Sequence, residues 1–262
     1  MVFGAVSAHR AGTSADRIVF LGHATVLIEL DGVRLLTDPL LRGRVAHLRR
    51  QTPLLDASVT AGLDVVLISH MHHDHLDLGS LRLLGRDTPL LVPAGAGAWL
   101  RRRGFTSVTE LSVGEVGNVG TLAVTAVEAR HDGRRWPRGP GAESVGYLVR
   151  GRRAIYFAGD TELIEGLSDL LPPLDVALLP VGGWGPTLGE GHMDPHDAAR
   201  AAGLLKPRLA IPVHWGTLLP IGLARRHRAG LAEPPALFAR NVARLAPGVE
   251  VRILAPGQET RL

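Results

Sequence analysis

Short apolar runs recur along the chain, and their composition and periodicity are typical of β-strands. The runs are continuously apolar or alternate apolar with polar positions, they are rich in Val, Ile and Leu, and turn residues separate them. Asp31 and Gly32 stand between two of the runs, which predicts a tight hairpin. The predicted strands are 17–22, 25–30, 33–38, 64–69, 89–93, 121–129, 144–149, 153–160, 175–181, 208–214 and 249–255.

Helical patterns fall mainly between the later strands. The best-defined one starts at Asp194, a suitable N-cap, with Pro195 at the first helical position. Strands come first, strands and helices then alternate, and a similar mixed half follows, which predicts an α/β or α+β domain with two sheets. The predicted helices are 77–85, 95–103, 161–169, 194–205 and 234–245.

The composition is that of an ordinary globular protein. The chain has 262 residues, 45% of them hydrophobic and 21% charged. We expect a flexible arm at 1–16 and a single domain at 17–262. No apolar run reaches the roughly 18 residues that span a bilayer, and the first residues lack the basic and apolar regions of a signal peptide. The expected location is therefore the cytoplasm.

Cysteine is absent, which excludes disulfides, thiolate ligands and a Cys nucleophile. Any metal must therefore be held by nitrogen and oxygen donors. The net charge is +4, and the arginine clusters at 101–103, 134–138, 150–153 and 225–228 are dispersed, while aromatic residues make up 4%. A nucleic-acid partner is not expected from this distribution. The sequence gives no support for membrane contact, and a homo-oligomer stays open.

Candidate chemistry is concentrated in SHMHHDHLD at 69–77, directly after an apolar strand. Residues i and i+2 of an extended segment point to the same face, so His70 and His72 can reach one metal ion. A turn then lets Asp74 and His75 face a second point nearby. Neutral imidazole and carboxylate ligands suit Zn, Mn or Fe. The spacing therefore predicts a metal site.

The other polar residues of this stretch are given different roles. His73 is predicted to be a bystander, and Asp77 is predicted to begin the following helix. Further candidate ligands stand at the ends of predicted strands, where open sheets place their ligands: His131, Asp160 and His214.

Taken together, these segments resemble the metallo-β-lactamase-fold hydrolases. Within that group the sequence is most similar to the branch that contains N-acyl-phosphatidylethanolamine-hydrolysing phospholipase D and the L-ascorbate-6-phosphate lactonase type. The similarity covers nearly the whole chain from residue 17. The matching segments are FLGHATVLIE, LLTDPL, LISHMHHDHLD, ARH, YFAGDTE, LLPVGGWGP, GHMDPHDAA and IPVHWGT.

The resemblance implies a four-layer αββα sandwich, with two mixed sheets flanked by helices and built from two similar halves. It also implies two divalent metal ions, with Zn²⁺ as the first choice and Mn²⁺ or Fe²⁺ as alternatives. The implied ligands are His70, His72 and His131 for the first ion and Asp74, His75 and His214 for the second, with Asp160 bridging.

The implied reaction is hydrolysis of a small anionic or ester substrate by a hydroxide shared between the two metals. A phosphodiester, phospholipid-like in type, is the first expectation, and a lactone or carboxylic ester is the alternative. A nuclease and a non-catalytic metal-binding protein are the weaker hypotheses. Asp74 and Asp160 are assigned to catalysis through the metals. His192 is assigned as a proton donor or substrate contact, against the alternative of a loop residue that caps the next helix.

Supporting roles follow for residues around the ligands. The resemblance places Asp38 against a ligand histidine, and it places His23 close to the metals but not as a ligand. A turn aspartate and a structural histidine are the plain alternatives. Two long loops supply tentative substrate contacts. Arg134 and Arg135 could bind an anionic group, beside Trp136 and Trp184, although an ordinary basic loop explains them as well. Two departures, DTEL at 160–163 and His73 in place of an aromatic residue, weaken the inference of a particular substrate.

Overall fold

A computed structural model describes residues 15–135, 139–184, 188–222 and 231–262 of the protein. Most of the arm predicted at 1–16 therefore lies outside the described residues. Asp16, at its end, is fixed in place: its Oδ1 accepts the backbone N–H of Asp31 at 2.9 Å and its carbonyl accepts that of Leu262 at 3.0 Å. The division into an arm and a single domain stays a prediction.

The described residues contain seventeen strands, four α-helices and two short 3-10 turns at Ala57–Thr60 and Glu165–Asp169. The strands are β1 (Arg17–Gly22), β2 (Thr25–Leu30), β3 (Val33–Thr37), β4 (Arg44–Val45), β5 (Leu48–Arg50), β6 (Val65–Leu67), β7 (Leu90–Pro93), β8 (Val108–Leu111), β9 (Val116–Val119), β10 (Leu122–Glu128), β11 (Val145–Arg150), β12 (Ala154–Phe157), β13 (Val176–Pro180), β14 (Leu209–Val213), β15 (Leu218–Pro220), β16 (Glu250–Val251) and β17 (Glu259–Arg261). The helices are α1 (Leu78–Leu84), α2 (Gly97–Arg101), α3 (Pro195–Leu205) and α4 (Glu233–Leu245).

Two seven-stranded sheets repeat one pattern of pairing. The first has the order β17-β1-β2-β3-β6-β7-β8, and the second has the order β9-β10-β11-β12-β13-β14-β16. In each, read in this direction, three antiparallel pairings are followed by three parallel ones. The two similar halves implied by the sequence are therefore present in the strand order. A third, small sheet has the order β15-β5-β4.

The alternation of side chains along the strands builds four layers. In β1, Ile18 and Phe20 belong to the core between the two large sheets, whereas Val19 and Leu21 pack with residues of α1 and α2 on the outer face. The second sheet does the same, with α3 and α4 on its outer face. Both faces of the central strands are thus buried, which explains why their sequences are continuously apolar. The predicted αββα sandwich with two mixed sheets is confirmed.

Local signals in the sequence also place the helix starts correctly. Asp77 is the N-cap of α1 and accepts the backbone N–H of Ser80 at 2.9 Å. Asp194 caps α3 by accepting the N–H groups of His196 and Asp197, and Pro195 is the first helical residue. Among the described residues, no helix is long and apolar enough to cross a membrane.

Several predicted elements are shorter in the structure, and two of them differ most. The helix expected at 161–169 is only a 3-10 turn at Glu165–Asp169, because its first residues pair with the loop that carries Arg130. Glu162 donates its backbone N–H to the Arg130 carbonyl, and Thr161 Oγ1 accepts the Arg130 N–H. Gly166 further lowers the helix propensity. The strand expected at 249–255 shrinks to Glu250–Val251.

Several short strands have no counterpart in the prediction. They include β4, β5 and β15 of the small sheet and the edge strands β8, β9 and β17. Each spans two to four residues. Runs this short carry too few alternating positions to be told from loops, since their pairing depends on distant partners.

The two halves approach each other closely at Gly159, directly before Asp160. Its φ is +63°, and a Cβ at this position would lie 2.7 Å from Ser69 Cβ and 3.2 Å from the Val145 carbonyl oxygen. Any other residue would therefore be strained and would push the β12 end away from the β6 end.

We expect Gly159→Ala to lower the free energy of unfolding by about 1–3 kcal/mol, because the new methyl group meets Ser69 and the φ is unfavourable. Urea denaturation measures the effect. Gly166→Ala is the matched control, since nothing lies within 4 Å of a Cβ there, and it should be nearly neutral. Equal stability of the two variants would contradict the close approach described.

Candidate metal centre

Histidines and aspartates from both large sheets meet at one edge of the sandwich. The segment after β6 carries His70, Asp74 and His75, while β10, β12 and β14 end shortly before His131, Asp160 and His214. The turn between β1 and β2 adds His23. These side chains come from distant parts of the sequence, so the fold alone brings them together.

Three residues of this edge have backbones in a region that ordinary side chains avoid. The φ angles are 56° at His23, 33° at Asp38 and 61° at His214. A non-glycine residue in such a conformation costs about 1–3 kcal/mol and persists only where its surroundings fix it. Concentration of this strain at one cluster indicates that the position of these side chains matters more than local stability.

His70, His72 and His131 form the first donor group. His72 Nδ1 and His131 Nε2 are 3.0 Å apart, and the His70 ring centroid is 4.6 Å from each of the other two. His131 Nδ1 donates to the Gly191 carbonyl at 2.9 Å, so its Nε2 is left unprotonated in the neutral ring. His70 Nε2 is buried and has no hydrogen-bond partner among the described residues.

Asp74, His75 and His214 form the second donor group. His75 Nε2 and His214 Nε2 are 3.1 Å apart, and Asp74 Oδ2 is 3.7 Å from the former and 3.8 Å from the latter. His214 Nδ1 donates to the Gly182 carbonyl at 2.7 Å. The Nε2 atoms of both rings consequently face the carboxylate and not the surrounding backbone.

Asp160 joins the two groups. Its Oδ2 lies 3.2 Å from His75 Nε2 and 3.3 Å from His214 Nε2, and donor atoms of Asp160, His131 and His192 fall within 4.8 Å of one another. Its Oδ1 is buried without a partner among the described residues. The unpartnered atoms Asp160 Oδ1 and His70 Nε2 destabilise the folded state unless a cation or a water molecule interacts with them. The donor set therefore fits divalent metal ions.

The charges of the cluster favour metal binding as well. Burial lowers the pKa of His70 well below its ordinary value and that of His131 to about 4, so both rings are neutral, as a ligand must be. Burial also lowers the pKa of His75, but the carboxylates of Asp160, Asp74 and Asp38 outweigh it and hold that pKa well above normal. In the metal-free protein His75 thus carries a proton that a bound cation would replace.

Asp38 forms a hydrogen bond with His75, a candidate metal ligand, as the resemblance implied. The carboxylate is completely buried; Oδ1 accepts the Ser69 N–H at 2.7 Å, and Oδ2 accepts the Ser69 hydroxyl at 2.5 Å and His75 Nδ1–H at 2.7 Å. Ser69 Oγ in turn lies 3.0 Å from His70 Nδ1. One aspartate therefore orients a histidine from each donor group, which is more than a turn residue would do.

His23 lies beside the second donor group, where the resemblance placed it. Its Nε2 is 3.0 Å from Asp74 Oδ2, and it joins Asp74, His75 and His214 in one group of donor atoms within 4.8 Å. Its backbone is held at both ends, since its N–H donates to Thr217 Oγ1 at 2.7 Å and its carbonyl accepts the N–H of His214 at 2.8 Å. The sequence did not indicate these backbone contacts, because both partners of His23 are distant along the chain.

His192 lies beside the cluster and does not cap the helix that follows. Its Nε2 is 3.4 Å from Asp160 Oδ2, and its Nδ1 lies 3.0 Å from the carbonyl oxygens of both Gly189 and Glu190. Burial lowers its pKa, but the bond to Asp160 outweighs burial and raises it. The capping alternative is ruled out by Asp194, while the catalytic role stays a prediction.

Arg135 has a different environment from the one expected of a substrate contact. It is 7% exposed. Its NH1 donates to the Met71 carbonyl at 2.8 Å and to the Leu76 carbonyl at 2.9 Å, on either side of Asp74 and His75 in the sequence. NH2 lies 3.0 Å from His73 Nδ1, and the guanidinium sits 4.8 Å from the Trp99 ring centroid. His73 is a contact of this arginine. The role of Arg135 in anion binding stays a prediction.

Arg134 and Trp184 are the other tentative substrate residues that the structure describes. Arg134 is exposed, and Trp184 packs edge-on against His47, with ring centroids 5.0 Å apart. Trp136 lies outside the described residues. The roles of Arg134 and Trp184 in substrate binding stay predictions.

We expect Asp38→Asn to weaken metal binding by about 10–100-fold, because the neutral amide cannot accept from Ser69 and from His75 Nδ1–H as the carboxylate does. Competition with a chromophoric chelator measures the affinity. Asp87→Asn is the control, since Asp87 is exposed and should leave it unchanged. Equal affinities for the two variants would show that Asp38 does not orient a ligand.

Comparison with known families and proteins supports this picture. The family model described as β-lactamase superfamily domain matches residues 33–215. A UPF0173 metal-dependent hydrolase of Methanopyrus kandleri is 34% identical over 250 residues, which cover 92% of this chain and 98% of that protein. A solved metallo hydrolase from Ignicoccus hospitalis is 24% identical, with a TM-score of 0.73 and coverage of 95% of this chain and 99% of that one. The similarity to the Ignicoccus hospitalis structure supports the fold.

Two further relatives are longer than this chain. An uncharacterized protein of Mycobacterium tuberculosis is 34% identical over 80% of this chain and 61% of its own length. An N-acyl-phosphatidylethanolamine-hydrolyzing phospholipase D of Caenorhabditis elegans is 31% identical over 78% of this chain and 64% of its own length. The chain thus spans less than two thirds of both. The family match and the donor clusters agree: the chain belongs to the β-lactamase superfamily and has the metallo-β-lactamase fold.

Proposed function

We propose that the protein is a dinuclear metal-dependent hydrolase that cleaves a phosphodiester, with a phospholipid-like substrate. The observation that carries the proposal is the position of Asp160. Its Oδ2 lies 3.2 and 3.3 Å from the Nε2 atoms of His75 and His214 in the second donor group, and a donor atom of His131 in the first group lies within 4.8 Å of the carboxylate. Its Oδ1 is buried and unpartnered among the described residues. A carboxylate so placed suits two cations that share a ligand.

The ligand assignment follows the two donor groups. His70, His72 and His131 would hold one ion, Asp74, His75 and His214 would hold the other, and Asp160 would contact both. Nitrogen and oxygen donors without sulfur suit Zn²⁺ first, with Mn²⁺ or Fe²⁺ as alternatives. When bound, such ions supply Lewis acidity and lower the pKa of water towards neutrality.

The protein contributes orientation and proton placement. Gly182 and Gly191 carbonyls fix the tautomers of His214 and His131, and Asp38 fixes that of His75, so that the Nε2 lone pairs face the site. His192 Nε2–H, beside Asp160, would donate a proton to the leaving oxygen. In the metal-free protein, the contact with Asp160 raises the pKa of His192 and so favours its protonated form.

Similarity to a relative and one feature of the site favour different substrate classes. The relative from C. elegans is a phospholipase D by name, which favours a phosphodiester. Engagement of Arg135 by backbone carbonyls removes one expected anion contact and favours the second candidate, a lactone or carboxylic ester, whose carbonyl carbon the same activated water would attack.

Rates on two substrate classes test the choice. Metal-loaded protein should hydrolyse bis(p-nitrophenyl) phosphate, and Asp160→Asn should lower kcat/KM on the order of 100-fold because a shared ligand is lost. A lactone panel is assayed with the same sample. Hydrolysis of lactones alone would replace the first proposal by the second, and inactivity on both panels would contradict both.

Substrates whose leaving groups differ in basicity test whether His192 donates a proton. His192→Gln should lower kcat by about 100-fold on an alkyl phosphodiester, whose leaving oxygen needs a proton, and much less on the p-nitrophenyl ester, whose leaving group is already stable as an anion. His196→Gln, at an exposed position of α3, is the control. An equal loss on both substrates would rule out a proton-donor role.

A further inference from the structure

The side chain of Arg135 reaches from the second half of the molecule to the turn that carries metal ligands of the first half. Arg135 stands four residues after His131, in the loop between β10 and β11, whereas the turn follows β6. Its NH1 donates both of its hydrogens, one to the Met71 carbonyl at 2.8 Å and one to the Leu76 carbonyl at 2.9 Å. Between these two carbonyls lie three candidate ligands, His72, Asp74 and His75.

The second guanidinium nitrogen holds the middle of the same turn. NH2 of Arg135 lies 3.0 Å from His73 Nδ1, and because arginine can only donate, Nδ1 is the acceptor and the neutral ring carries its proton on Nε2. Within the turn itself, the Leu76 N–H donates to the His72 carbonyl at 2.8 Å. One side chain from a distant loop thus adds three hydrogen bonds to a turn that is closed by its own backbone.

Arg135 is itself fixed on its other sides. Its guanidinium lies 4.8 Å from the ring centroid of Trp99, a buried residue of α2. Its backbone N–H donates to the Pro140 carbonyl at 3.2 Å, and its carbonyl accepts the N–H of Gly139 at 2.6 Å. A Cβ at Gly139 would overlap the Cβ of Arg135, so the loop can approach this closely only with glycine there. The guanidinium is therefore held in place before any ligand binds.

The charge of Arg135 and its hydrogen bonds have opposite effects on a bound cation. Burial lowers the pKa of Arg135 to about 10, although Asp77 and Asp74 oppose the shift, so the group stays charged at neutral pH. A positive charge that attracts Asp74 also repels a divalent ion at that carboxylate. The charge alone would weaken metal binding, whereas hydrogen bonds that fix the ligands would strengthen it.

We propose that Arg135 is a positioning residue for the metal centre, whose hydrogen bonds hold the turn between Met71 and Leu76 in its ligand-presenting conformation. The inference rests on the ligand assignment of the proposed function. Residues that orient ligands contribute to metal affinity although they do not touch the metal, because the ligands are then already in place when the ion binds. This role needs no substrate.

Zn²⁺ affinity in the absence of substrate tests the proposal. Arg135→Met keeps an apolar side chain beside Trp99 but removes every donor, and it should weaken Zn²⁺ binding by about 10–100-fold. Competition with a chromophoric chelator measures the affinity of the folded protein, and urea denaturation in EDTA measures stability separately. A purely structural role would lower the free energy of unfolding and leave the affinity of the folded protein unchanged. Loss of the charge alone would strengthen binding.

Arg103→Met is the matched control, because Arg103 lies over the same ring without holding the turn. Its guanidinium is 3.7 Å from the Trp99 ring centroid, and its NH1 donates to the Trp99 carbonyl at 3.1 Å. The affinity of this variant should equal that of the unmodified protein. Arg135→Lys keeps the charge and can donate to the carbonyls but lacks the second nitrogen that reaches His73. We expect it to restore part of the loss, with Zn²⁺ bound about threefold more weakly than by the unmodified protein.

The outcomes separate this inference from the proposed function. Unchanged or tighter Zn²⁺ binding by folded Arg135→Met, or an equal loss in Arg103→Met, overturns the role of Arg135 and leaves the metal centre intact. If Arg135→Met does not fold, Arg135→Lys decides, and an affinity equal to that of the unmodified protein then overturns the role. Failure of the unmodified protein to bind Zn²⁺ would contradict the metal centre itself and this inference with it.

Discussion

Face-to-face packing of the two sheets is the constraint on which the rest of the molecule depends. Donors from the first sheet follow β6, and donors from the second follow β10, β12 and β14, so the cluster exists only while the two sheets keep their relative position. Direct hydrogen bonds join the sheets at this place: the Tyr147 hydroxyl donates to the Ile68 carbonyl at 2.8 Å, and the Val145 N–H donates to the Ser69 carbonyl at 3.0 Å. The apolar core is therefore also the support of the site.

The cluster is held at a cost in local stability. Buried carboxylates and imidazoles, left-handed backbones at three residues and two orphaned polar atoms all oppose folding. Hydrogen bonds to fixed carbonyls and to Asp38 partly offset this, and bound cations would satisfy the remaining donors. Stability and metal binding are thus linked, as is general for sites whose ligands converge only in the folded state.

Much of this arrangement was predictable from the sequence, because the relevant signals are local. Strands that are buried on both faces have continuously apolar sequences. Asp77 and Asp194 cap helices that begin at the next residue. His70 and His72 follow the two-residue period of an extended chain. Contacts set by tertiary structure were not predictable. Nothing next to Arg135 in sequence reveals that Met71 and Leu76 accept its hydrogen bonds, and the pairing of residues 161–162 with Arg130 overrides a helical pattern.

The number of metal ions per chain tests the central claim most directly. Protein purified without added metal is analysed by inductively coupled plasma mass spectrometry, and metal-stripped protein is then titrated with Zn²⁺ under the same conditions. We expect two divalent ions per chain in both experiments, and a lower count in Asp160→Asn because the shared ligand is lost. A count of one or zero in both, with no second ion taken up on titration, would contradict a dinuclear centre.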